Sequence, residues 1–309
     1  MGFSYNIVVL FIALIGLRLC GQGLMSHISM TIISKYFDKN RGKALSISSL
    51  GYSMGEAVFP IIITSVIAFF DWRIAAIVSG VALLLYLIRL KFTNLLDFDK
   101  QLSVEGKPST LSLLKDYKEV VSDKRFGIMM PASFILSFTN TAIFFYQYVF
   151  VEDKGWSPQL YAIFFTVYAI SRFMFSLFGG TWVDKFSARK MFKVYLIPMT
   201  LGLIPFALMD SIIGALLFLI TAGITTGMAG TVKTSLIAEI YGTHKMGAIR
   251  SVFTMFMVIS TALGPLLVGF MIDSGFDFHT IILGLFGAMF LISINSQRIM
   301  NVTKTTSAF

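Results

Sequence analysis

Residues 179–190 read GGTWVDKFSARK. Long apolar runs stand on both sides, and within these twelve residues fall Asp184, Lys185, Arg189 and Lys190. Small glycines such as Gly180 at a helix end let two backbones approach closely. A fixed Asp followed by clustered Lys and Arg marks a short loop on the cytoplasmic side of a membrane, where basic residues concentrate. On this reading both flanking runs are helices that cross the bilayer. A positive loop between any two membrane helices satisfies the same pattern, so the rest of the chain decides.

The 309 residues are 56% hydrophobic and 13% charged, with mean hydropathy +0.80. Soluble domains carry about twice that share of charge, so a polytopic membrane protein is expected. The 31 Phe suit lipid-facing and interfacial surfaces. One cysteine, Cys20, excludes an intramolecular disulfide and argues against a Cys-rich metal site. The net charge of +9 could suggest nucleic acid, but the basic residues sit in short loops between apolar runs. Membrane orientation explains them, and no nucleic-acid partner is expected. Residues 1–6 carry no Lys or Arg, and the run after them continues as a full span, so no signal peptide is read.

About 20 apolar residues cross a bilayer core. Nine segments qualify or nearly so: roughly Tyr5–Ser34, Lys43–Phe70, Trp72–Leu90, Phe126–Phe150, Pro158–Val183, Met191–Leu208, Ile212–Ile240, Gly247–Ile272 and Phe278–Ile294. Segments this long must be helices, because lipid offers no partner to an open backbone. Twenty of the 25 Lys and Arg fall in loops on one side, Lys245 and Arg250 counted among them. Arg73 and Lys154 fall on the other side, and Arg18, Arg172 and Lys233 inside spans. The basic side is therefore read as cytoplasmic, with the C-terminus inside and the N-terminus outside.

The polar interval within residues 92–125 reads as a linker between an incomplete bundle at 1–91 and a six-helix bundle at 126–309. Ser109 or Thr110 could cap a short amphipathic helix there, with Leu111, Leu114, Tyr117 and Val121 on one side; a disordered loop fits 97–108 equally. A weak internal repeat supports two bundles. Phe70-Asp71-Trp72-Arg73 recurs as Phe276-Asp277-Phe278-His279, and Gly51, Gly55 and Pro60 are answered by Gly264, Pro265 and Gly269. Internal symmetry of this kind marks secondary transporters.

Residues 180–190 resemble the cytoplasmic signature of the major facilitator superfamily, roughly G-x-x-x-D-[RK]-x-G-[RK]-[RK]. Gly180, Asp184 and Lys185 take the matching places, Ser187 stands at the second Gly, and Arg189-Lys190 comes one residue late. RLCGQG (18–23), YFDKNRGKALSISSLGYSMGEAVFP (36–60) and DWR (71–73) resemble that family's fourth, fifth and sixth spans, and ALGPLLVGFMID (262–273) its eleventh. Arg18 matches the arginine often found in the fourth span. Glu56 stands where antiporters of the family usually have Pro. The resemblance covers essentially the whole chain. It implies an all-α polytopic bundle with nine transmembrane helices visible of an expected twelve, the first three being absent. An incomplete gene or a late start codon at Met1 is the expected reason. It also implies alternating access, with substrate bound between the bundles.

Ionisable residues inside spans are costly and point to function. At 1.5 Å per helical residue, Arg18, Glu56 and Arg172 each lie about 20 Å from a span end, near mid-depth, and Lys233 about 12 Å from Tyr241. Arg18, Gln22, Met25 and Ser29 share a face by helical spacing, with His27 roughly opposite as a packing or proton-relay residue. Ser133, Ser137, Asn140 and Gln147 share another, lining a cavity or joining helices. If Glu56 neutralises Arg18, Arg172 and Lys233 are left to meet an anion.

The candidate site is therefore Arg18, Gln22, Glu56, Asn140, Gln147, Arg172 and Lys233, with Gly180, Asp184, Lys185, Arg189 and Lys190 as a gating loop. The expected function is secondary transport of a small organic anion, most simply a carboxylate, coupled to ions or protons. The alternatives are a proton-driven exporter of amphipathic compounds and a non-transporting sensor or inert fragment. No enzyme is expected, since His27, His244 and His279 are scattered and no carboxylates pair. No GxxxxGK[ST] loop is present to drive transport with ATP, and no cofactor is expected. The expected setting is the lipid bilayer, the inner (plasma) membrane if the source is bacterial, and the expected state a monomer.

Overall fold

The computed structural model describes residues 6–37, 39–92, 117–242 and 246–301. The first crossing is composite: α1 (Ile7–Leu17), a π-helical stretch (Arg18–Met25) and α2 (Ser26–Tyr36). Then follow α3 (Arg41–Phe69), α4 (Trp72–Lys91), α5 (Phe126–Asp153), α6 (Pro158–Phe186), α7 (Ala188–Val194), α8 (Ile197–Leu208), α9 (Ile213–Tyr241), α10 (Met246–Asp273) and α11 (Phe278–Ser296), closed by a 3₁₀ turn. Among the described residues there is no strand. Among the described residues seven helical segments, α7 and α8 counted together as one, are long and apolar enough to cross a membrane. The other two of the nine expected crossings are the composite first helix and α3, whose first half is rich in Ser and Gly. Of the linker, residues 117–122 are helical; Ser109, Thr110, Leu111 and Leu114 lie outside the described residues.

Three local features depart from the sequence reading. The stretch 179–190 is mostly helix, not loop. Helix α6 runs on to Phe186, and the break is the single residue Ser187 at φ 80°, ψ 150°. Its hydroxyl then accepts the Lys190 N–H at 3.5 Å to start α7. The run 191–208 is divided at Tyr195–Leu196. Pro198 explains this, since it lacks an N–H and its ring crowds the carbonyl four residues back, at Val194. In the π-helical stretch the backbone bonds run i→i+5. The face computed for Arg18, Gln22, Met25 and Ser29 at ordinary helical spacing therefore does not carry across it.

Two close crossings set the architecture. On α9, Gly223 and Gly227 lie against α6: a Cβ on Gly223 would stand 2.7 Å from the Tyr168 carbonyl, and one on Gly227 2.5 Å from that of Arg172. Glycines four apart on one face allow such backbone contact between helices in lipid. Gly42 at the start of α3 meets Gly180 on α6 in the same manner, each lacking the Cβ that would strike the other's carbonyl at 2.4–2.5 Å. The buried core lies in α5–α11, whereas Leu45 and Ala75 are the buried apolar residues described in α1–α4.

Candidate functional site

Helix α3 enters the bundle between α6 and α9. Its free N-terminal amides meet Asp184: Oδ1 accepts the Gly42 N–H at 2.9 Å and Oδ2 the Lys43 N–H at 3.0 Å. A carboxylate here satisfies two donors that no intrahelical carbonyl can reach and complements the positive end of the helix. Further along, Ser46 bonds Thr231 at 3.2 Å and Ser49 bonds Ser176 at 2.7 Å. These contacts tie α3 to α6 and α9 over roughly 10 Å at the basic end of the molecule. The other gating-loop residues do different work. Arg189 pairs with Glu239 at 3.1 Å, and the same carboxylate accepts the Ala188 N–H, so both bind within the C-terminal half. Lys185 lies over the Phe186 ring, and Lys190 is exposed.

A cavity of about 130 Å³ opens beside this contact zone, between α2 on one half and α5, α9 and α10 on the other. His27, Ser133, Lys233, Thr234 and Arg250 supply its polar lining, and Met30 and Phe253 are among the apolar groups. Arg250 is buried, and its Nη1 donates to the Thr234 hydroxyl. Its Nε has no hydrogen-bond partner among the described residues, and neither has Nδ1 of His27. Among the described residues no carboxylate lines the cavity, and no acid lies within ion-pair reach of Lys233 or Arg250. Two cations facing one void in a low-dielectric setting are complementary to a small anion.

Of the residues expected at a site, Lys233 lines this cavity. Arg172 lies elsewhere, roughly 10 Å back along the α6–α9 crossing. There its Nη1 donates to the Tyr168 hydroxyl at 3.3 Å, which also receives the Thr226 hydroxyl at 3.4 Å. On α5, Asn140 Oδ1 and Gln147 Oε1 are buried acceptors without a partner among the described residues, and neither residue lines the cavity. The side chains of Arg18, Gln22 and Glu56, and with them the expected Arg18–Glu56 pair, lie outside the described set. Arg250 corrects the sequence reading, which counted it as a loop residue on the basic side. It sits within α10 and is buried. The signal was present in the apolar run from Gly247, whose fourth residue is Arg250.

The sequence matches the family profile of the Major Facilitator Superfamily over residues 1–265 and again over 129–300. The chain belongs to this superfamily. Among solved structures it is similar to the proton:xylose symporter XylE bound to 6-bromo-6-deoxy-D-glucose, with TM-score 0.67 and 16% identity over 88% of this chain and 67% of that one. It is also similar to FucP in the outward conformation, with TM-score 0.68 and 13% identity over 90% of this chain and 73% of that one. At those identities the likeness concerns the fold. Among curated proteins, the Multidrug resistance protein B homolog of Mycobacterium tuberculosis is 25% identical over 148 residues. That match spans 48% of this chain and 27% of the relative.

Proposed function

We propose that this protein is a secondary transporter that moves a small organic anion, most simply a carboxylate, by alternating access between its two halves. The observation that carries the reading is the cavity between the halves that has Lys233 and Arg250 on its wall and no acid among its described lining residues. Arg250 can hold a carboxylate with two parallel hydrogen bonds, while Lys233 acts as a point charge. The basic end is taken as cytoplasmic, so the Asp184–α3 contact is a latch on the inner mouth. Uptake of radiolabelled carboxylates into proteoliposomes tests the reading. Arg250→Lys keeps the charge and loses the two-pronged geometry, and should reduce carboxylate uptake by about tenfold or more. Undiminished uptake in both Arg250→Lys and Lys233→Ala would remove the cavity from the transport path.

A second reading, proton-driven export of amphipathic compounds, is favoured by the similarity to the multidrug resistance homolog. In that case dye efflux would respond to the Phe-rich walls and be indifferent to Lys233 and Arg250.

A further inference from the structure

The cavity holds one more ionisable group. His27 comes from α2, in the N-terminal half, whereas Lys233 and Arg250 come from α9 and α10 in the other. Among the described lining residues it is the titratable group with an ordinary range near neutrality. Its Nδ1 is buried and meets no hydrogen-bond partner among the described residues. Its backbone carbonyl is fixed by the Thr31 hydroxyl at 2.7 Å. Nearby, α3 presents Ser48 to Ser29, and α5 presents Ser133 to the cavity. The charged groups described on the helices packed against α2 at this cavity are Lys233 of α9 and Arg250 of α10. On the π-helical stretch and α3, Arg18 and Glu56 are ionisable, with side chains outside the described set.

We propose that His27 is a proton-binding partner of the transported anion, so that anion and proton occupy this cavity together. This inference rests on the anion reading given above. A proton on His27 places a third positive charge against Lys233 and Arg250, across the seam between the halves. With the cavity empty, that charge pushes α2 away from α9 and α10. A carboxylate lying between the three groups removes the conflict and accepts a hydrogen bond from each side. Each ligand therefore favours the other, because a coupling between two binding events is reciprocal. No bond is made or broken beyond the proton's: it comes from solvent, rests on an imidazole nitrogen, and returns to solvent when the anion leaves. The same arrangement favours a ligand with two negative charges over one with a single charge when His27 is protonated.

The test is calorimetric titration of succinate into the purified wild-type protein, run near pH 7 in two buffers of different ionisation enthalpy. The difference between the two heats counts protons taken up. Wild type should take up a proton, up to one per succinate, and should bind succinate about tenfold more tightly at pH 6 than at pH 8, within the usual span of couplings between ligands. His27→Gln should bind with no proton uptake and lose the tenfold pH dependence; His27→Asn serves if that variant folds poorly. The wild-type proton count needs no variant at all. Succinate binding that requires Lys233 and Arg250 but takes up no proton overturns this inference alone. Proton uptake undiminished in both His27 variants also overturns it. No succinate binding by wild type, or binding that survives Lys233→Ala with Arg250→Ala, overturns the anion site and the inference with it.

Discussion

Ser187 shows how much one position can hold. It stands where the superfamily signature has glycine, and its backbone at φ 80°, ψ 150° is a conformation that side chains rarely adopt. A non-glycine residue there costs of order 1–3 kcal/mol. The hydroxyl returns only a long bond to the Lys190 N–H, worth a few tenths of a kcal/mol against glycine. Ser187→Gly is therefore expected to stabilise the protein by about 1 kcal/mol, read as a higher thermal midpoint in detergent. Ser187→Val should lower it. An unchanged midpoint for both would mean that the break between α6 and α7 absorbs the strain. Arg250 is the opposite case, a residue whose importance comes from its depth. Four residues into α10 it is already buried, and charge alone gave no hint of that.

At the scale of elements, the start of α3 is the best-defined contact between the halves. Gly42 and Gly180 bring the two backbones together, and Asp184 then reaches two amides of the α3 N-terminus. Asparagine in place of Asp184 keeps one acceptor oxygen but removes the charge that complements the helix dipole, worth about 0.3–1 kcal/mol. Asp184→Asn should therefore shift the halves apart at this end. In a Cys20→Ser background, maleimide labelling of a cysteine at position 49 should rise about two- to fivefold. Unaltered labelling would mean that the glycine contact alone holds the mouth closed. The repeated tetrapeptides also belong here. Asp71 and Asp277 are both N-caps, of α4 and α11, so both tetrapeptides stand at helix starts. Below its usual range, the Asp277 carboxyl is held by the side-chain hydrogen bond to Thr280.

For the whole molecule, burial is unevenly distributed along the chain. Helices α5–α11 carry a continuous core, while α4 buries only Ala75 among its described residues. Helices α1–α4 meet α5–α11 along α3, which is clasped by α6 and α9, and along α2 against α10. If alternating access is the working cycle, these contacts must part. Ser49 and Ser176 face each other across the seam at 2.7 Å. Cysteines at both positions, with Cys20→Ser, should cross-link on oxidation, and transport in proteoliposomes should stop and return on reduction. Full transport by the cross-linked protein would place the moving seam elsewhere.

The sequence by itself determined that the chain is a bundle of membrane helices, because spans about 20 residues long leave the backbone no other way to satisfy itself in lipid. It also determined the family resemblance, since Gly180, Asp184 and Lys185 keep their spacing whatever surrounds them. The tertiary structure decided which charges share a space. Lys233, Arg250 and His27 lie on three helices from two halves, 206 and 17 residues apart along the chain. No periodicity within one helix reports on another. The π-helical stretch at Arg18–Met25 further shifted the facing of α2, which spacing arithmetic could not anticipate. Arg172 and Lys233 looked alike in sequence, as single cations in apolar runs. Only packing separated them, placing one beside Tyr168 at a helix crossing and the other on the wall of a cavity.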